Sequence, residues 1–361
     1  MRLGIIGLPN SGKTTIFNAL TGSSYPTDPF SSGQLEVHTA VVNVPDARLD
    51  RISAIYKPKK TTYATVTYTD IGGLDKGIGQ GGLSGPMRNE LQQVDGFLHV
   101  VRAFEDEAVP HPQNTVNAIR DLETIDGEFM LVDLITVENR QARLEEERKK
   151  GKAAATPQYT AEVELFERLH AQLEAGLPLR DMDLTAEEIK SLRGYGFMTL
   201  KPTLVIFNMG DSGTDPAQNL KYDHQQAIVI TLRGKLEAEI AQLTDPDDVA
   251  MFLAEYEIEK PSRERILQVS YDLLGIQSFF TYGEDEVRAW PVRKGGSSLD
   301  AAAAIHTDLA RGFIRAEVIA YNDFMAANGS LNEVKAHGKM RLEGKEYLVQ
   351  DGDMIVIRFN I

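Results

Sequence analysis

Lys13, Thr14 and Asp70 carry an ammonium group, a hydroxyl and a carboxylate, the set that a triphosphate and its divalent cation require. The first two lie in "GLPNSGKTT", Gly7 to Thr15, which fits the phosphate-loop pattern G-x-x-x-x-G-K-[ST]. A loop wrapped around a triphosphate turns its backbone N–H groups inward. Glycine tolerates the backbone angles and the close approach that this needs, and Gly7 and Gly12 hold the two pattern positions. Lys13 aims a positive charge at the outer phosphates and Thr14 offers an oxygen to Mg2+, while Asn10, Ser11 and Thr15 complete the loop. Asp70 closes "TVTYTDI" and forms D-x-x-G with Gly73. In a nucleotide switch such a carboxylate reaches Mg2+ through water, and the glycine N–H senses the γ-phosphate.

Positioning these groups takes a strand before the loop, a helix after it and a second strand ending at Asp70. "MRLGII" supplies the first, and "KTTIFNAL" predicts a helix whose positive end faces the anion and which Gly22 stops. The alternation in "TVTYTDI" predicts the second strand. The glycines at 72, 73, 77, 79, 81, 82 and 85 give the next stretch the freedom that suits a switch beside the γ-phosphate. Leu74 stands where many GTPases carry the Gln that orients the attacking water, a task Leu cannot perform.

"VDGFLHVVRAF" predicts a further strand, but the next suitable one, "PTLVIFN" ending at Asn208, comes only far downstream. The insert between them has helical period. Leu134, Val137, Gln141 and Leu144 line one helix, Phe166, Leu169 and Leu173 a second, and "GKAAATPQ" joins them, which predicts two antiparallel helices forming an arm. "EEERKK" at its tip reads as a solvated face and His170 as a surface residue. In "IFNMGD", Asn208 can bond a purine edge or staple the phosphate loop, and Asp211 falls where a carboxylate accepts guanine's two N–H donors. Met209 replaces the usual Lys of that motif, which leaves ATP and GTP both open.

From about Gly275 short strands alternate with helices. "EVRAWPV", "FIRAEVIAY" and two strands within "MRLEGKEYLVQDGDMIVIRFNI" surround a helix over "SSLDAAAAIHTDLARG", capped by Ser and stopped by Gly. The fold class is therefore α/β. Its 361 residues exceed one typical domain, and 42% apolar content suffices for real cores. No cysteine is present, which excludes disulfides and thiolate metal sites within this chain. Neither a long apolar run nor a leader pattern stands out, so the expectation is a soluble cytoplasmic protein without membrane partners. A net charge of −15 argues against nucleic-acid binding by the whole surface, leaving only a local face for it.

The ordered set "GLPNSGKTTIFNALT", "VPDARLDRI", "KPKKTTYATVTYTDIGGL", "HVVRAFED", "YGEDEVRAW", "AAAAIHTDLARGFIRAEVIAYNDF" and "RLEGKEYLVQDGDMIVIRFNI" resembles the YchF family of Obg-like ATPases over essentially the whole chain. The resemblance implies a P-loop nucleotide-binding domain with an inserted helical arm and a C-terminal β-grasp-like TGS domain. It also implies an ATP-hydrolysing switch working with ribosomes or translation factors. Carried across, the base-contacting pair is Asn208 and Met209, and a histidine implicated in hydrolysis is His111. Asn10 stands where some P-loop enzymes hold a monovalent cation, which implies K+ beside Mg2+.

Three departures mark a divergent member or paralogue. The switch threonine falls in "PFSSGQLEVHTA", where Ser32 is the candidate Mg2+ ligand beside Thr14 and Asp70; the family's N-x-x-E reads N-x-x-D; and the wall of the base site reads "TLRGKLEAE". The expected boundaries are 1–121 with 200–276 for the nucleotide domain, 122–199 for the arm and 277–361 for the TGS domain. The expected function is a Mg2+-dependent ATP- or GTP-hydrolysing switch, slow alone and stimulated by a partner. The alternative is a nucleotide-binding interaction protein that does not hydrolyse. A small-molecule kinase is disfavoured, since D-x-x-G and the C-terminal domain have no role there.

Overall fold

The computed structural model describes residues 1–27, 37–72, 83, 85–150, 156–211, 213–243, 245–256, 258 and 262–360. The chain begins with β1 (Arg2–Ile6), α1 (Lys13–Thr21), β2 (Val37–Asn43), α2 (Ala47–Tyr56), β3 (Lys60–Thr62) and β4 (Thr65–Ile71). Next come α3 (Gly85–Gln93), β5 (Gly96–Ala103), the long α4 (Ala118–Lys149), α5 (Pro157–Glu174) and α6 (Ala186–Leu192). Then follow β6 (Thr203–Met209), β7 (Ala227–Leu232), α7 (Gly234–Ile240), α8 (Pro246–Glu255) and α9 (Ser262–Leu273). The last stretch holds β8 (Ile276–Thr281), β9 (Glu286–Arg293), α10 (Ser298–Ile305), α11 (Thr307–Arg311) and β10 (Phe313–Ala320). It closes with α12 (Tyr321–Ala326), α13 (Leu331–Ala336), β11 (Arg341–Glu343) and β12 (Asp353–Phe359). No helix among the described residues is long and apolar enough to cross a membrane.

Two compact units form, Met1–Ala40 with Thr67–Arg263, and Val41–Val66 with Glu264–Ile361. The first is built on a sheet of strand order β2-β4-β1-β5-β6-β7, with parallel pairing from β4 through β7. Parallel strands covered on both faces read as continuous apolar runs, as "RLGII" and "TLVIFNM" do. Register places Asp70 opposite Ile5 on β1, so its carboxylate stands beside the loop that starts at Gly7. Helix α1 buries Ile16, Phe17, Ala19 and Leu20, and Gly22 stops it in the left-handed conformation, φ 70°.

Helix α4 starts at Ala118, earlier than the apolar spacing predicts, because Asn117 caps it by accepting from the Arg120 N–H. Tyr159 donates to the Leu144 carbonyl, Gln141 to the Phe166 carbonyl, and Glu138 faces His170. Partners rise along α5 as they fall along α4, so the two helices run antiparallel. Val137, Leu144, Phe166, Leu169 and Leu173 are buried in their seam. At the root of α4, Asp133 accepts from the Met198 and Thr199 N–H groups and the Thr199 hydroxyl, at 3.0, 2.8 and 2.7 Å. Burial raises that carboxyl to about 6 despite the three donors.

The second unit holds a sheet of order β11-β10-β12-β8-β9-β3. Its core packs Ala301 and Ala302 of α10 on Phe279, Val292, Phe313, Val318 and Ile355. Ser297 and Asp300 form a capping box at the start of α10. The helix predicted over 297–312 is broken in two. His306 adopts an extended conformation, φ −165°, and its Nδ1 accepts the Asp308 N–H at 3.2 Å, ending α10 and starting α11. Residues 41–66 join this unit through the β3–β9 pairing and through Arg48, which bridges Asp46 and Asp351.

Candidate nucleotide site

The loop between β1 and α1 has the backbone a phosphate cradle needs. Gly7 (φ 152°) and Gly12 (φ 91°) occupy conformations that favour glycine, and Asn10 is left-handed at φ 61°. A Cβ on Gly7 would collide with the Val100 carbonyl, and one on Gly12 with the Asn208 amide, so both positions exclude a side chain. Gly12 caps α1, whose first turn therefore presents N–H groups toward the loop. Lys13 Nζ donates to the Gly7 and Leu8 carbonyls at 3.0 and 2.8 Å, holding its charge over the loop. Ser11 is buried, and Thr15 lies in the first turn of α1.

Thr14 Oγ1 donates to Asp70 Oδ2 at 2.8 Å, although the two residues come from different elements. Asp70 is 3% exposed. A hydroxyl and a carboxylate are hard oxygen donors of the kind Mg2+ prefers, so this pair fits that ion. Below the loop, burial and the nearby Lys13 and Arg180 charges hold the His99 ring at about 3, hence neutral.

Asn208 sits at the end of β6 with both ends of its amide engaged. Nδ2 donates to the Ser11 carbonyl at 3.0 Å and Oδ1 accepts the Gly234 N–H at 2.9 Å. The residue thus staples the phosphate loop to the start of α7, and a Cβ on Gly234 would stand 2.6 Å from its Oδ1. Met209 follows as the last residue of β6, and Asp211 is exposed in the next turn.

On the loop's other side, Asn10 Nδ2 donates to the Pro110 carbonyl at 2.9 Å. The next residue, His111, turns its ring toward α4, with Nε2 2.9 Å from Asp121 Oδ2. Asn10, Thr14, Asp70 and Asn208 are thus drawn to one loop by direct hydrogen bonds, whereas the His111 ring is bonded to α4. Ser32, Gly73 and Leu74 lie outside the described residues.

Two partners escaped the sequence reading. Asp121 is one, and the signal for it was an acid at a core position of the stripe Ala118, Asp121, Leu122, Ile125, all buried. The other is Lys201, whose Nζ donates to the carbonyls of Leu91, Gln92 and Val94 at 2.7, 2.8 and 2.7 Å, fastening the end of α3. No local pattern announced that contact.

The glycine-bounded loop, its lysine and the Thr14–Asp70 pair on a parallel sheet define a P-loop nucleoside triphosphatase. Residues 2–140 match the family model described as 50S ribosome-binding GTPase, and residues 276–360 match the YchF-GTPase C-terminal model, described as a protein of unknown function. The chain is 38% identical over 366 residues to Ribosome-binding ATPase YchF of Pasteurella multocida, spanning 100% of this chain and 99% of that protein. It is 37% identical over 371 residues to Obg-like ATPase 1 of Oryza sativa subsp. japonica, at 100% and 92% coverage. The solved structure of the Schizosaccharomyces pombe YchF GTPase superposes with a TM-score of 0.81 at 30% identity, covering 99% of this chain and 97% of that one. The chain belongs to the YchF family.

Proposed function

We propose that this protein is a Mg2+-dependent ATPase switch that turns over slowly alone and faster on a ribosome or a ribosome-bound translation factor in the cytoplasm. The observation that carries the reading is the convergence of Thr14 Oγ1 and Asp70 Oδ2 beside the Gly7–Thr15 loop. Bound Mg2+ would neutralise charge on the transferred phosphoryl group. Thr14 and Asp70 would hold it, with Ser32 as the candidate for a further ligand. Lys13, Gly12 and the loop amides orient the phosphates, and Gly73 is the proposed sensor of the terminal one. Asn208 shapes the base pocket by fixing the loop, beside Met209 and Asp211. His111 serves hydrolysis once its ring reaches the nucleotide. Asn10 is the proposed contact of a monovalent cation, so turnover should be faster in K+ than in Na+; equal rates would dispose of that role.

The same reading assigns residues 1–121 with 200–276 to the nucleotide domain, 122–199 to a helical arm and 277–361 to a TGS domain of β-grasp type. Charge distribution makes the second compact unit the one less repelled by a nucleic-acid-rich partner. The second compact unit carries sixteen Lys and Arg against sixteen Asp and Glu, so the whole net charge of −15 belongs to the first unit. The names of the relatives, Ribosome-binding ATPase YchF among them, point the same way.

A second reading, nucleotide-dependent interaction without hydrolysis, is favoured by the bonding of the His111 ring to Asp121. Multi-turnover phosphate release from ATP, with and without ribosomes, separates the two. Release that rises on ribosomes supports the switch ATPase, and none under either condition supports the interaction protein.

A further inference from the structure

The His111 ring has a built resting place. Its side chain is 4% exposed and that of Asp121 3%. Nδ1 accepts the Gln113 N–H at 3.1 Å, which places the ring hydrogen on Nε2 and directs it to Asp121 Oδ2 at 2.9 Å. The other oxygen of Asp121 accepts from Arg120 Nε and Nη2 at 3.0 and 2.8 Å. Arg120 in turn donates to the Thr115 hydroxyl and carbonyl at 3.0 and 2.7 Å. The loop that carries His111 is thus closed on itself by one carboxylate and one guanidinium. Its other margin is fastened to the phosphate loop by the Asn10 bond to the Pro110 carbonyl. The backbone next to His111 lies within hydrogen-bond reach of the phosphate loop, while the imidazole is bonded to the first turns of α4.

We infer that Asp121 is a latch that holds the His111 imidazole away from the nucleotide, and that releasing it limits hydrolysis by the protein alone. The inference rests on the reading that His111 serves hydrolysis. A ring with both nitrogens bonded inside the protein has no group to offer an attacking water. Asp121 is accordingly a positioning residue, and Arg120 and Thr115 set the strength of its hold. A partner would release the ring by pulling on the 104–117 loop, so the free protein and the stimulated one differ in the population of released histidine.

Asp121→Asn removes the charge at nearly constant shape and weakens the bond to Nε2. It should raise partner-free phosphate release roughly tenfold in kcat, the change expected when a hydrogen bond to a charged group is lost, while KM for ATP stays within about twofold. The double variant His111→Ala/Asp121→Asn should fall back to the rate of His111→Ala. A basal rate in Asp121→Asn that is unchanged or lower overturns the latch, even where His111→Ala abolishes the ribosome-stimulated rate. A stimulated rate that survives His111→Ala overturns the hydrolytic role of His111 itself, and the latch with it. Nuclear magnetic resonance of the wild-type imidazole provides a check that needs no variant. A slowly exchanging Nε2–H is expected in the free protein, and a ring that exchanges as freely as a surface histidine contradicts the latch.

Discussion

Thr14 and Asp70 are joined by a 2.8 Å hydrogen bond between the first turn of α1 and the end of β4. It fixes the carboxylate beside the hydroxyl that follows the phosphate-loop lysine, so two oxygen donors are already in place for one cation. Asp70→Asn replaces the carboxylate of that donor set by a neutral amide, a weaker ligand for a divalent cation. Mg2+-dependent ATP affinity should fall by about tenfold or more, as loss of roughly 1.4 kcal/mol requires. Affinity measured in EDTA should change much less. Equal loss with and without Mg2+ would show that Asp70 acts on the loop and not on the ion.

Asn208 spans two buried backbone groups, the Ser11 carbonyl and the Gly234 N–H. Asn208→Ala leaves both without a partner. The expected cost is about 2 to 3 kcal/mol in urea or thermal unfolding, the range for buried polar groups deprived of partners. If the residue is a staple, affinities for ATP and GTP fall in the same proportion. A changed ATP-to-GTP ratio in this variant would show instead that its amide reads the base.

Much of this site could be read in the sequence, because strands and loops of this kind are written locally. The alternation of "TVTYTDI" matches β4 residue for residue, and Gly22 ends α1 through its left-handed conformation. Contacts across long separations were silent. The β3–β9 pairing joins a three-residue strand to one more than two hundred residues away, with no periodicity to announce it. The break at His306 was hidden by the alanine run before it, which favours continued helix, whereas the ring bonds the Asp308 N–H and starts a new one. For Asn208 the sequence allowed either of two partners, and the choice depended on where Ser11 and Gly234 stand in space. The bonding of His111 to Asp121 was likewise a matter of which way one ring turns.

Asp133 makes the root of α4 sensitive to pH. Its folded value of about 6 lies above the ordinary 3.8, with burial as the first cause and the Met198 and Thr199 donors opposing it. Between these two values the folded protein holds a proton that the unfolded chain has released. The contribution is therefore fully present below about pH 4 and is lost as pH rises through about 6, at no more than roughly 1.4 kcal/mol per pH unit. Unfolding measured from pH 4 to pH 7 should show wild type losing stability relative to Asp133→Asn across that window. Parallel curves would mean that the three donors hold the carboxylate ionised throughout.

The most direct measurement is an equilibrium titration of wild type and Lys13→Ala with Mg2+-bound ATP and GTP. Lys13 places the charge of the Gly7–Thr15 loop, and Asp211 in the turn after β6 retains the carboxylate spacing that favours guanine. Wild type should bind ATP more tightly than GTP, with GTP binding still measurable, and Lys13→Ala should bind neither productively. Unchanged affinity in Lys13→Ala would contradict the phosphate-loop site. A Kd for GTP about tenfold or more below that for ATP, lost on Asp211→Ala, would contradict the assignment as an ATPase.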